Sequence, residues 1–195
     1  MRLFYEWFFP ALWVAFFLYW QVAARSAKSN ERVEPLVSRI VREATFGLAI
    51  MILMGRGLPV PVLYWFYLPI TYWAVWFWIG AAVNVLGFGL AVWARVYLGS
   101  NWSSSVTIKR GHELITGGPY SLVRHPIYTG LLTGFLGAAI AIARVSGLVA
   151  FALVFALFWF KLRLEERWMR IQFGEVYGQY AQRVPALVPL PPKIS

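Results

Sequence analysis

The chain contains no cysteine. That excludes a disulfide framework, thiolate zinc sites and a cysteine nucleophile. Histidine is also scarce, with two in 195 residues, His112 and His125. They are separated by a proline-containing loop, a poor arrangement for a metal, so no metal is expected. No GxGxxG follows a strand, and there is no P-loop and no HExxH. Charge is scarce as well. Only 13% of residues are charged, while 60% are hydrophobic and 18% aromatic. Soluble domains carry about a quarter charged residues. The few charges are clustered and leave long uncharged runs, the pattern of a polytopic membrane protein. No internal repeat is evident.

The expected fold is all-α, one membrane domain over 1–195 with about five transmembrane helices. A three-span part covers 1–95, and 96–195 carries the functional loop, a helical hairpin and a cytoplasmic tail. The spans are expected at roughly 7–24, 40–58, 70–95, 127–143 and 145–160. The first run is too long for a signal peptide and lacks a cleavage signature. Arg42 and Arg56 would snorkel to opposite faces of the second span, and an aromatic interfacial loop would follow it. The fifth helix should continue into water through 161–170 and stop near Gly174. The proline-rich end cannot remain helical.

The formal net charge is +10. Nucleic acid is a usual partner for so basic a chain, but here Lys and Arg gather in the first loop, the central loop and the tail. That distribution predicts orientation and contact with anionic lipid headgroups, with no nucleic acid partner. Five spans place the three basic segments together, with the N-terminus outside and the C-terminus cytoplasmic. The expected location is a bacterial or archaeal inner membrane, or an ER-like membrane.

The one long polar interruption is Gly99 to Gly130. It brings His112, Tyr120, Arg124, His125 and Tyr128 close in sequence. Its glycines allow close backbone approach to a ligand. A second constellation, Lys161, Glu165, Glu166 and Trp168, follows the fifth span. Lys161 and Glu165 share a helix face. On residues alone these are either a cofactor site at one membrane face, or a headgroup-contacting loop beside an exposed amphipathic helix end.

The motifs Gly99-Ser-Asn-Trp102, Gly111-His-Glu-Leu-Ile115, Gly118-Pro-Tyr120 and Arg124-His-Pro-Ile-Tyr128-Thr-Gly130 resemble the isoprenylcysteine carboxyl methyltransferase family. So do Glu165-Glu166, Phe173-Gly174-Glu175-x-Tyr177-x-x-Tyr180 and Val184-Pro185. The wider group includes phospholipid N-methyltransferases. The resemblance covers roughly residues 95–190. It implies an integral membrane enzyme that uses S-adenosyl-L-methionine and releases S-adenosyl-L-homocysteine. The acceptor would be lipid-like: an isoprenylcysteine carboxylate, a phospholipid or another hydrophobic molecule. By motif, the cofactor contacts would be His112, Leu114, Ile115, Tyr120, Arg124, His125, Pro126 and Glu165. Lys161, Tyr128 and Trp168 would face the acceptor, and Glu165, Lys161 and His125 would be catalytic. Lys161 stands where the prenylcysteine enzymes carry an arginine thought to hold the substrate carboxylate. It keeps the charge and loses the bidentate fork. The alternatives are an NADPH-dependent membrane reductase related to sterol reductases, and a non-catalytic membrane protein or small transporter.

Overall fold

A computed structural model describes residues 2–25, 30–33, 36–53, 73–99, 107–109 and 114–189. The described chain is predominantly α-helical. Helices α1 (Arg2–Ala24), α2 (Leu36–Leu53), α3 (Trp73–Leu98), α4 (Pro126–Ile142) and α5 (Val145–Arg183) are joined by a 3-10 turn at Gly118–Ser121 and a small two-stranded ribbon. The ribbon pairs β1 (Asn30–Val33) antiparallel with β2 (Thr107–Lys109), and it was not expected from the sequence. It ties the first polar segment to the central one.

Apolar content explains the helices. By length and composition, α3 from Ala74 and α5 can cross a membrane; α4 is apolar but shorter. Only 39% and 33% of their most apolar windows are buried, which is unlike the core helix of a soluble protein. Val14, Phe17 and Leu18 on α1, Trp78, Leu86 and Trp93 on α3, and Phe160 on α5 all face outward. An apolar exterior of that extent marks a lipid or protein contact surface.

Lipid supplies little hydrophobic drive between helices, so close packing and polar contacts must hold them. The α3–α4 seam does this with small residues. A methyl group on Gly130 would lie 2.5 Å from the Gly87 carbonyl oxygen, and one on Gly87 would lie 2.5 Å from the Gly134 amide nitrogen. Within the seam Asn84 is fully buried and donates from Nδ2 to the Gly134 carbonyl at 2.5 Å. Trp13 pins α1 onto this pair, edge-on to Phe88 (4.9 Å) and Phe135 (4.6 Å). From α2, Phe46 reaches both Phe135 on α4 and Phe158 on α5.

One expectation holds in part and one needs correction. Helical geometry breaks at Gly174, as expected, where that residue adopts φ +51° and ψ −125°; a second helical piece, not expected, then follows to Arg183. Glycine tolerates the left-handed φ, and the piece that follows has its own buried residues, Tyr177 and Tyr180, to anchor it. Helix α2 begins at Leu36, ahead of the expected start. Arg56 and the aromatic loop after it lie outside the described residues.

The seam generates a test. Gly130→Ala should lower unfolding stability in detergent by about 1–3 kcal/mol, the cost of overpacking. Gly89→Ala, where nothing lies within 4 Å of the added carbon, should leave it unchanged. Equal thermal midpoints for the two variants would refute the close seam.

Candidate active site

Pro126 opens α4 at the first helical position, where its missing N–H is no loss and its fixed φ suits the helix. That start places Arg124 and His125 just before α4 and Tyr128 within its first turn. Across from them, α5 presents Lys161, Glu165 and Glu166. Up to the break at Gly174, α5 runs about 43 Å at 1.5 Å per residue. Its uncharged run ends at Phe160, so these residues lie beyond its most apolar part.

Arg124 occupies the centre. Its Nε donates to Glu166 Oε1 at 2.9 Å and its Nη2 donates to the same oxygen at 2.5 Å. Its Nη1 donates to the carbonyls of Ala181 (2.9 Å) and Val184 (2.5 Å). The backbone continues the attachment. Arg124 N–H donates to the Pro185 carbonyl at 2.8 Å, His125 N–H to that of Ala186 at 3.0 Å, and Thr129 Oγ1 to that of Leu187 at 2.7 Å. The tail after α5 is thereby clasped to the start of α4. Tyr180 adds a further tie, donating to the Tyr120 carbonyl at 2.6 Å.

Glu165 and Glu166 have different surroundings. Burial alone would push the Glu166 carboxyl up. The adjacent His125 imidazole and Arg124 guanidinium more than reverse this and hold it at about 2. The Arg124 bonds are the firm ones. His125 Nε2 is 3.4 Å from Glu166 Oε1, yet it is buried without a hydrogen-bond partner. Glu165 is 20% exposed against 10% for Glu166. It accepts a 2.5 Å bond from the Tyr128 hydroxyl, with Lys161 Nζ at 3.8 Å and His125 Nδ1 at 3.7 Å. The Tyr128 ring stacks between His125 (5.5 Å) and Phe158 (4.9 Å), and Lys161 Nζ lies 5.2 Å from its centre. Glu165 thus keeps a share of exposure, while Glu166 is committed to the protein.

The approach to this cluster is shaped by the Gly117-Gly118 turn. Gly118 has φ +56°, and a side chain on it would meet the Tyr97 ring at 2.5 Å. Leu114 and Thr116 then run beside Val176, Tyr180, Arg183 and Val184, lining a cleft of about 330 Å³. Ile115 packs against the apolar core. Tyr120 is buried, its hydroxyl 3.4 Å from the Ala94 carbonyl, and burial raises its phenol well above the usual range.

The structure therefore brings together Arg124, His125, Tyr128, Lys161 and Glu165, with Pro126 as the helix start. Tyr120 anchors the turn beneath them, and Leu114 lines the neighbouring cleft. Trp168 is half-buried, one turn beyond Glu165. His112 lies outside the described residues. Glu166 and Tyr180 as ties for Arg124 and Tyr120 were not anticipated. The available signal was a buried acid one position round the helix from Glu165.

The phospholipid methyltransferase family model matches residues 75–176, from the start of α3 past the kink in α5. That segment holds both halves of the cluster. The chain belongs to the phospholipid methyltransferase family. Protein-S-isoprenylcysteine O-methyltransferase B of Arabidopsis thaliana is 34% identical over 56% of this chain and 57% of its own length. The cobalt-zinc-cadmium resistance protein CzcN of Cupriavidus metallidurans is 33% identical over 55% of this chain and 48% of its own. Methanethiol S-methyltransferase 1 of Bradyrhizobium diazoefficiens is 42% identical over 36% of this chain and 24% of its own. The chain spans about half the length of the relatives it matches, or less. The resemblance read from the motifs is borne out at the level of this family and of similarity to isoprenylcysteine methyltransferases.

The clasp has a pH signature. The Glu166 carboxyl is held below its unfolded value near 4.5, so its stabilisation is complete above that value. It should fade as pH falls from about 4.5 through about 2. Unfolding in detergent should show wild type losing stability across that window and Glu166→Gln losing less. Arg124→Ala, which strands a buried carboxylate, should cost about 3–5 kcal/mol at neutral pH. Parallel pH profiles for wild type and Glu166→Gln would dismiss the pair as a stabilising contact.

Proposed function

We propose that the protein is an integral-membrane methyltransferase that uses S-adenosyl-L-methionine and delivers its methyl group to a hydrophobic or lipidated acceptor. The observation that carries this reading is Glu165. It is a partly open carboxylate held by Tyr128 and flanked by His125 and Lys161, at the end of two apolar helices and inside the family segment.

The residues fit the cofactor's charges. Its sulfonium and ammonium are cationic, and Glu165 supplies a fixed anion. His125, with Nδ1 3.7 Å from Glu165 and Nε2 3.4 Å from Glu166, stands beside that anion. Leu114 offers apolar surface in the cleft, and Ile115 ties the same stretch of loop to the core. When bound, the cofactor supplies an already activated methyl, so the protein's work is mainly positioning. Tyr128 fixes the Glu165 rotamer. Arg124, with all three nitrogens engaged by protein, holds the tail and the start of α4 in register. Tyr120 and Pro126 belong to the same wall in this reading, and His112 is assigned to the cofactor by its motif alone. A carboxylate or thiolate acceptor needs no base. An amine acceptor would hand its proton to Glu165 or His125, because a carboxyl held at about 2, as in Glu166, is a weak base.

The acceptor lies among those of the relatives, one named for isoprenylcysteine and one for methanethiol. Lys161 and Tyr128, with Trp168 beyond them, form its side of the site. The five helices span the membrane, with the C-terminus cytoplasmic. Support comes from the β1–β2 ribbon, which joins the first and central polar segments, and from the tail's bonds to Arg124 and His125. All three basic segments then meet at one end of the bundle.

Calorimetry on the purified protein should detect S-adenosyl-L-methionine and S-adenosyl-L-homocysteine and no NADPH. Glu165→Gln should weaken both by about 10- to 150-fold, the loss of one charge-assisted hydrogen bond of roughly 1.5–3 kcal/mol. Binding of NADPH in place of either ligand would overturn the assignment. A reporter fused after Ser195 should be active only on the cytoplasmic side, and external activity would reverse the topology.

A further inference from the structure

Where α5 leaves its uncharged run at Phe160, a ridge on its surface changes from aromatic to basic without a break. Phe151, Phe155, Trp159, Arg163 and Arg167 are spaced four apart, so they stand in one row along the helix. Ring contacts run up this row, Phe151 to Phe155 at 6.3 Å and Phe155 stacked on Trp159 at 6.1 Å. The Arg163 guanidinium then lies 4.8 Å from the centre of the Trp159 ring. Phe155, Trp159, Arg163 and Arg167 are all exposed.

Arg163 therefore points back one turn toward the apolar end of α5, the direction in which helical side chains lean. The two arginines stand about 5 Å and about 10 Å beyond Phe160 at 1.5 Å per residue. The headgroup layer is about 5–8 Å deep on each side of the bilayer core, and side chains that lean back bring both guanidiniums into it. The two acids of this stretch turn inward, Glu165 to Tyr128 and Glu166 to Arg124. Glu165 is two residues from each of the two arginines, about 160° round the helix. The ridge is thus basic and faces away from the candidate active site. Arg170 extends the basic side, with its Nη2 3.8 Å from Glu166 Oε2.

We propose that Arg163 and Arg167 form a docking site for the headgroup of an anionic phospholipid, with one acyl chain lying along the Phe151–Phe155–Trp159 row. Each guanidinium presents a planar fork that fits two phosphate oxygens. Trp159 marks the level of the interface, where an indole has one side in hydrocarbon and one in the headgroups. Two cations with both nearby acids turned inward select a lipid of net negative charge over a zwitterionic one. This lipid is a bound part of the membrane surface and not the methyl acceptor. The site depends on α5 crossing a bilayer, as the functional reading also holds, and not on methyl transfer.

The test uses full-length protein in neutral dodecyl maltoside, with bound lipid counted by native mass spectrometry. Dioleoyl phosphatidylglycerol and dioleoyl phosphatidylcholine are the probes, alike in chains and different in charge. Wild type should bind the anionic lipid about tenfold or more tighter than the zwitterionic one. Arg163→Gln and Arg167→Gln should each cut that preference about fivefold, the effect of one cation near an anionic surface, and the double variant should lose it. Both side chains are exposed, so the variants should keep the wild-type thermal midpoint. Arg25→Gln removes an exposed cation at the end of α1, off the ridge, and should leave the preference intact. No preference in wild type, or one intact in the double variant, overturns the proposal. An equal loss in Arg25→Gln overturns it as well, because net charge alone would then explain the binding. Displacement of the lipid by inorganic phosphate, or by a polyglutamate peptide, would make the ridge a free-ion or protein site and also overturn it. S-adenosyl-L-homocysteine binding is measured in parallel. If wild type binds none of it but prefers the anionic lipid, the methyltransferase reading fails and the lipid site stands.

Discussion

The Arg124 guanidinium is where separate parts of the chain meet. It joins the loop before α4 to Glu166 on α5, to the Ala181 carbonyl on the far side of the Gly174 kink, and to Val184 in the tail. Each partner answers a separate physical demand. A guanidinium removed from water needs a carboxylate and enough acceptors for its remaining hydrogens. The carbonyls at the end of α5 have no intrahelical partners and need donors. The tail beyond α5 needs its backbone paired once it leaves solvent. One side chain meets all three, and the kink at Gly174 bends α5 within the stretch between Glu166 and Ala181.

That clasp separates two adjacent glutamates that sequence alone makes look equivalent. Glu166 turns toward Arg124 and becomes part of the scaffold. Glu165, one position round the helix, turns toward Tyr128 and Lys161 and keeps a share of exposure. A site needs both kinds of acid: one fixed to hold geometry, and one still able to meet a ligand. The aromatic stack of His125, Tyr128 and Phe158 carries the second set of contacts back into the apolar bundle. The close α3–α4 seam lies behind that stack. Its small residues let two backbones nearly touch, which holds α4 against α3 and fixes where its first turn presents Tyr128.

Much of the fold was legible in the sequence, because burial in lipid and helical continuity act locally. Uncharged runs of spanning length become helices whatever their neighbours, and Pro126 starts a helix wherever it is placed. The polar stretch before it was legible as a candidate site for the same reason: Arg-His-Pro beside an apolar run needs partners. The ribbon between β1 and β2 was not legible. Its strands are very short, and each is stable only because the other is there. The break at Gly174 was legible, but the helical piece after it was not. Buried contacts of Tyr177 and Tyr180, supplied by distant segments, hold that second piece.

The sequence by itself determined the apolar helices, the turns between α4 and α5, and the set of polar residues available for chemistry. These follow from side-chain hydropathy and backbone preference, which each residue carries with it. Only the tertiary structure decided how those polar residues divide. It assigned Arg124 and Glu166 to the clasp and left Glu165 more exposed. Charge pairing depends on distance and on the loss of water between the partners. Residues 124 and 166 acquire both only when the helices pack.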